Sequence, residues 1–259
     1  MCTTGLFAEI DALGLSYSEL NQRVRIAVES GARRLVLRNV AGQRYIGTNL
    51  YGCADRQGLS GLLLEIHGTP GNDLGAFLDG PTIVVYGNAM DGTGNTMTSG
   101  RIVIHGRAGD ITGLSARGGE IFVRDSVGYR TGVHMKQYQG NRPVIVIGGT
   151  SQDFLGEYMA GGIIILLGLH LKANEPHACN RLCSGMHGGA VFVRGTLRHG
   201  SLGHGVSVQP LNADDRQLVA VYVSRYAELF GADADSIMNA SFTKLVPATG
   251  RPYKQLYAY

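Results

Sequence analysis

Apolar and polar residues alternate in short runs that each close on a glycine, from Leu62 to Gly68, Thr82 to Gly87 and Arg101 to Gly106. The closing glycines stand nineteen residues apart, and Gly75, Gly94, Gly113 and Gly132 keep the same step. A fixed period this short predicts a solenoid. Aligning the runs gives the column Ile83, Ile102, Ile121, Ile145, Ile164 and Val191, with five extra residues before Ile145 and eight before Val191. Alternation within each run turns that column inward, together with Val85, Ile104, Val123, Ile147, Leu166 and Val193. The same offsets in the other half of the repeat give a third inward column, Leu78, Met97, Ala116, Met135, Met159 and Met186, so every coil has two inner walls. Paired glycines such as Gly118-Gly119, Gly161-Gly162 and Gly188-Gly189, with Pro81 and Pro143 substituting in two coils, form the corners. Asn72, Asp91, Asp110 and Asp153 precede the other glycine column, where short polar side chains can hydrogen-bond the turn.

The flanks do not repeat and read as caps for the two open ends of the stack. Ser16 with Glu19 makes a capping box before the stripe Leu20, Val24 and Val28, which ends at Gly31. Arg33 to Leu50 alternates like a hairpin around Ala41-Gly42. Ala213 to Phe230 carries Leu218, Tyr222, Tyr226 and Leu229 at helical spacing before Gly231, a second capping helix. Ser241 to Tyr259 is too apolar for a free tail and is expected to dock. The chain thus divides into an N-terminal cap over residues 1–61, a glycine-repeat β-helix over 62–210, and a capping helix with docking tail over 211–259. The outward mid-strand column, Val84, Val103, Phe122, Val146, Ile165 and Phe192, is apolar throughout. Either the flanks lie along it or another chain does, and self-association through an apolar face is the expectation.

With 39 glycines in 259 residues the composition suits a turn-rich coil, and a net charge of +3 with scattered basic residues excludes a polyanion-binding surface. No run of apolar residues is long enough to span a membrane and four uneven cysteines fit a reducing compartment, so a cytoplasmic chain is expected. Phosphate-loop, dinucleotide, nucleophile-elbow and zincin motifs are all missing. His177, Cys179, Cys183 and His187 have ligand-like spacing for zinc or iron, but they also merge into an ordinary corner at Gly188-Gly189 where small buried cysteines are at home. Cys2 would become N-terminal on loss of Met1, and Cys2 to Phe7 resembles the start of an N-terminal-cysteine glutaminase. Nothing downstream supports such a domain, and the segment reads as an exposed tail. His67 and His105 share an outward column with Tyr86 and Arg124 that reads as solvated.

Four segments carry a family resemblance: Ile66 to Gly75, Gly156 to Gly162, Gly185 to Gly189, and Phe242-Thr243-Lys244-Leu245-Val246-Pro247 followed by Arg251-Pro252-Tyr253. Over about Arg33 to Tyr259 the chain resembles the glycine-repeat GXGXG domain of glutamate synthase, in the split archaeal-type form where that domain is its own polypeptide. The same repeat is similar to the glycine-repeat component of formylmethanofuran dehydrogenase and to the middle subunit of N-methylglutamate synthase. The resemblance implies an all-β fold, a right-handed single-stranded parallel β-helix, with no catalytic, cofactor-binding or metal residues of its own. It also implies partners: a glutaminase subunit, and a synthase subunit that carries FMN and an iron-sulfur cluster and aminates 2-oxoglutarate. In that reading the chain braces the two while ammonia passes between them.

Overall fold

The computed structural model describes residues 6–48, 50, 51 and 53–248. Cys2, and the tail from residue 249 with Arg251-Pro252-Tyr253, lie outside the described residues. Strands dominate. The chain opens with β1 (Leu6–Asp11), α1 (Tyr17–Glu29), β2 (Ala32–Ala41) and the short α2 (Arg56–Ser60). The repeat supplies β3 (Leu63–Thr69), β4 (Thr82–Tyr86), β5 (Arg101–Ile104), β6 (Glu120–Val123), β7 (Val144–Ile147), β8 (Ala160–Leu166) and β9 (Gly188–Arg194). The chain continues through β10 (Val206–Pro210), α3 (Ala213–Phe230), α4 (Ala234–Met238) and β11 (Phe242–Pro247). The strands form one open eleven-stranded sheet in the order β1-β2-β3-β4-β5-β6-β7-β8-β9-β11-β10.

From β1 to β9 every pairing is parallel, and the register puts Ile83, Ile102, Ile121, Ile145, Ile164 and Val191 side by side. All six are at most 1% exposed, and the columns led by Val85 and Leu78 are buried in the same cluster. Away from the sheet, the turns carry a second hydrogen-bond ladder: Gly94 N donates to Leu74 O at 2.8 Å, Gly113 N to Thr93 O at 2.7 Å and Gly132 N to Thr112 O at 2.8 Å.

The glycines of that ladder are dictated by the isoleucines of the second strand that follows each of them. A Cβ built on Gly75, Gly94, Gly113 or Gly132 would lie 2.5 to 2.8 Å from the Cδ1 of Ile102, Ile121, Ile145 or Ile164 respectively. All four glycines also sit at φ between +62° and +73°, which a side chain rarely adopts. Gly156 faces the shorter Val191, where the nearest atom is 3.5 Å away. One repeat later Cys183 holds the glycine position itself, buried and at φ +58°.

The acidic residues before the glycines reach further than their own turns. Asp91 Oδ1 accepts from Asp110 N at 2.8 Å, Asp110 Oδ1 from Tyr129 N at 2.8 Å and Asp153 Oδ1 from Asn180 N at 2.7 Å, so each staples one repeat to the next.

The expected hairpin at Arg33 to Leu50 is not formed. β2 pairs in parallel with β1 and with β3, because its alternation matches the inner walls of the repeat, and Leu35 and Leu37 join the same core. Helix α1 begins at the expected capping box, with Glu19 N donating to Ser16 Oγ and Ser16 N to Glu19 Oε2, and buries Leu20, Val24 and Val28 in the interior core.

Helix α3 has the expected limits but a different role. It lies along the outward face and buries Val219, Val223 and Tyr226 against Phe122, Val146, Ile165 and Phe192, with Ile237 of α4 beside them. Leu218, Tyr222 and Leu229 are only partly buried, so the apolar stripe is turned slightly from the one the spacing predicts. The chain therefore covers most of its own apolar column, which removes that column as grounds for a subunit interface; Val84 alone of the six stays half-buried.

The closing segment docks as β11, antiparallel between β9 and β10. Lys244 Nζ reaches Asp215 Oδ1 at 2.7 Å and Oδ2 at 2.9 Å, and Asp215 also caps α3 by accepting from Asn212 N. Glu120 is held by Arg101 on the sheet and by Arg225 on α3.

Gly113→Ala is expected to cost about 3 kcal/mol in urea unfolding, combining the left-handed backbone penalty with displacement of Ile145. Gly200→Ala, at φ +75° with open space around it, should cost only about 1 kcal/mol. Equal losses at the two sites would contradict the packing argument. Lys244→Met should cost about 2 kcal/mol, below the range for a fully buried pair because both ends keep some water.

Candidate functional site

The four residues with ligand-like spacing do not converge. His177 is fully buried, its Nε2 lies 2.9 Å from Arg194 O and therefore carries the proton, and its Nδ1 has no partner among the described residues. Cys179 and Cys183 are buried free thiols, and burial pushes both of their pKa values up, away from the thiolate a metal needs. His187 lies at the corner with Nδ1 3.4 Å from Gly185 O. Among the described residues no three His, Cys, Asp or Glu side chains could hold a metal together, so the metal-binding alternative is not supported by the geometry. The eight extra residues before Val191 instead bring His177 into parallel pairing with Leu197.

The outward histidines form a stack and are not simply solvated. His67 lies on Tyr86 at 4.8 Å between centroids, Tyr86 on His105 at 5.0 Å, and Phe230 of α3 closes the column edge-on at 5.1 Å. Consecutive strands bring these rings together, so the stack reports register before chemistry.

A cleft of about 610 Å³ lies between α1 and the turns that precede β4 and β5. Its wall on the helix side is Tyr17, Asn21 and Arg25, one residue per turn, on the flank beside the buried stripe. Its other wall is Tyr45, Asp73, Phe77 and Asn95. Tyr17 and Tyr45 meet edge to face at 6.1 Å and 65°. The rings of Tyr17, Tyr45 and Phe77 are 52%, 41% and 54% exposed, unusual for three aromatics sharing one hollow. Asp73 accepts from Asn95 Nδ2 at 3.1 Å through Oδ1, and Thr48 Oγ1 donates to Asp73 O. Asn21 spends its amide on Tyr17 O and Arg44 O. Sequence reasoning missed this cleft. Tyr17, Asn21 and Arg25 follow one another at helical spacing, but no periodicity links them to Tyr45, Asp73 and Phe77.

Comparison with known proteins places the chain among relatives. A family model described as the GXGXG motif matches residues 17–248. An uncharacterized protein, MJ1350, of Methanocaldococcus jannaschii is 44% identical over 255 residues, covering 96% of this chain and 95% of that one. A chain of the formyltransferase/hydrolase complex FhcABCD from Methylorubrum extorquens, solved in complex with methylofuran, superposes with a TM-score of 0.58. That match covers 93% of this chain and 96% of the other at 17% identity, which is a likeness of fold. No helix among the described residues is long and apolar enough to cross a membrane.

The buried imidazole sets a pH dependence. Burial lowers the pKa of His177, outweighing the opposing hydrogen bond to Arg194 O, and burial lowers that of His105. The unfolded chain then binds protons at higher pH than the folded one, so stability is complete above the ordinary histidine value and is lost as pH falls below it. The melting temperature should drop between about pH 7 and pH 5. His177→Gln, which keeps a donor for Arg194 O, should flatten that slope in thermal scans; an unaltered slope would place the titration elsewhere.

Proposed function

The chain belongs to the GXGXG motif family, and from that membership we propose that it is a non-catalytic scaffold subunit of a glutamate synthase-type assembly. The observation that carries the reading is the reach of the family match, residues 17–248, which takes in the repeat together with both flanks. The chain is then almost wholly the module that elsewhere in the family serves as a brace. In this reading the sheet winds as a right-handed single-stranded β-helix of about nineteen residues per coil. Parallel in-register strands, the separate ladder between turns and the right-handed preference of parallel crossovers support it. In this reading the described residues of 1–61 seal one end, 62–210 form the coils, and residues 211–248 cover the outer face and the far end.

The partners in this proposal are a glutaminase subunit and a synthase subunit, and FMN and an iron-sulfur cluster reside on the latter. A brace has a physical purpose there. Ammonia released at one site must reach the other before it escapes, and a fixed orientation of the two sites raises its effective concentration. Ion pairs that cross repeats or tie the outer helix to the sheet, such as Glu120 with Arg101 and Arg225, and Glu157 with Arg130, are suited to rigidity. A second reading, a component of a formyltransferase/hydrolase-type complex, is favoured by the fold likeness to the FhcABCD chain.

Reconstitution tests the proposal. The isolated chain given glutamine, 2-oxoglutarate and a reductant should form no glutamate. Added to the glutaminase and synthase polypeptides of the same cell, it should co-elute with both and bring glutamate formed close to glutamine hydrolysed. Turnover by the chain alone, or an unchanged ratio with no co-elution, would overturn the proposal; co-elution with formyl-transferring subunits would select the second reading.

A further inference from the structure

We propose that the cleft beside α1 binds a small alkylated ammonium ion, held against the rings of Tyr17, Tyr45 and Phe77 with Asp73 as its counter-charge. This does not depend on the scaffold reading. Aromatic faces attract cations through the ring quadrupole, and several faces around one hollow form a cage for ammonium groups whose alkyl substituents weaken their hydration. Tyr17 and Tyr45 stand 65° apart and so offer two walls of a corner. Phe77 lines the same hollow with its ring half exposed. A hollow of about 610 Å³ is in the range of small-molecule sites.

The repeat shows that these side chains are surplus to the turn. Phe77 stands at φ +57°, and the equivalent positions in later repeats hold Thr96, Ser115, His134 and Tyr158 at φ between +52° and +56°. The turn therefore requires a left-handed residue and no aromatic ring. Asp73 stands at φ +60°, and its equivalents are Gly92, Ile111 and Arg130, so the turn needs no carboxylate either. Asp73 lines the cleft, with Oδ1 accepting from the neutral Asn95 amide, so no cation among its described partners neutralises the carboxylate. Arg25 on the helix wall pairs with Glu29 at 3.8 Å, which draws its charge along the helix. The combination of ring faces, a carboxylate and a wall cation balanced by its own partner favours a cationic guest over an anionic or purely apolar one. A lysine ammonium is more strongly hydrated than an alkylated one and fits less well.

Titration of the full chain with choline, and separately with its uncharged isostere 3,3-dimethyl-1-butanol, followed by NMR or calorimetry, tests the proposal. Choline should saturate in the millimolar range, and the isostere should bind about tenfold more weakly. Asp73→Asn, which preserves the left-handed backbone and an acceptor for Asn95, should weaken choline about tenfold. Phe77→Ser, the residue found at the equivalent Ser115, should weaken it about threefold with the melting temperature unchanged. Failure of choline to saturate, equal binding of the isostere, or choline affinity indifferent to Asp73→Asn would each overturn the assignment.

Discussion

One contact governs the architecture: in β5 to β8 the terminal methyl of an isoleucine fills the space where a glycine two turns earlier would carry a side chain. Because that contact reaches from one repeat into the next, it fixes the spacing and the register together. Any residue other than glycine would have to push the isoleucine aside in an interior with few voids. The backbone N–H of the same glycine donates to the repeat before it, so one residue is tied to both neighbours. Where the isoleucine shortens to Val191 the demand lapses, and in the next repeat a cysteine side chain can take the place of the missing glycine. Cys183 is therefore explained by packing, and its spacing to His177 is incidental.

A sheet built this way has an inner face, an outer face and two edges, and each is covered differently. The interior is sealed at the first end by α1, whose Leu20, Val24 and Val28 enter the same core as the isoleucines. The outer face is closed by α3 and α4, which meet a separate apolar cluster. The final strand completes the far end, where Lys244 ties it to the cap of α3. Glu120, held by Arg101 on the sheet and Arg225 on α3, ties the outer helix to the repeats. The cleft beside α1 stands out because three partly exposed aromatic residues and a carboxylate line one hollow there.

Much of this was legible in the sequence because a repeat states the same physical demand several times. The Ile83 and Leu78 columns, the glycine positions, the capping box at Ser16 and the limits of α3 could all be read directly. Arg33 to Leu50 misled, since alternation ending in a glycine suits both a hairpin and one more parallel strand; only the partner decides. The outward column read as apolar without revealing its cover, because α3 has apolar residues on two sides, Leu218 and Tyr222 as well as Val219 and Val223. The ligand-like spacing of His177, Cys179, Cys183 and His187 lay across a corner, where short sequence separation does not bring side chains to one point. The cleft joins a helix stripe to turns from different repeats, and no pattern along the chain connects them.

The most direct test is to remove one whole repeat. Excising residues 68–86, nineteen positions that contain β4, joins His67 to Gly87, keeps every inner column in register and removes no residue of the apolar cluster under α3. The shortened chain should unfold cooperatively with a strand-rich circular dichroism spectrum, whereas a deletion of about half that length, which puts inner residues outside, should not fold. A nineteen-residue deletion as unfolded as the half-repeat deletion would contradict the account.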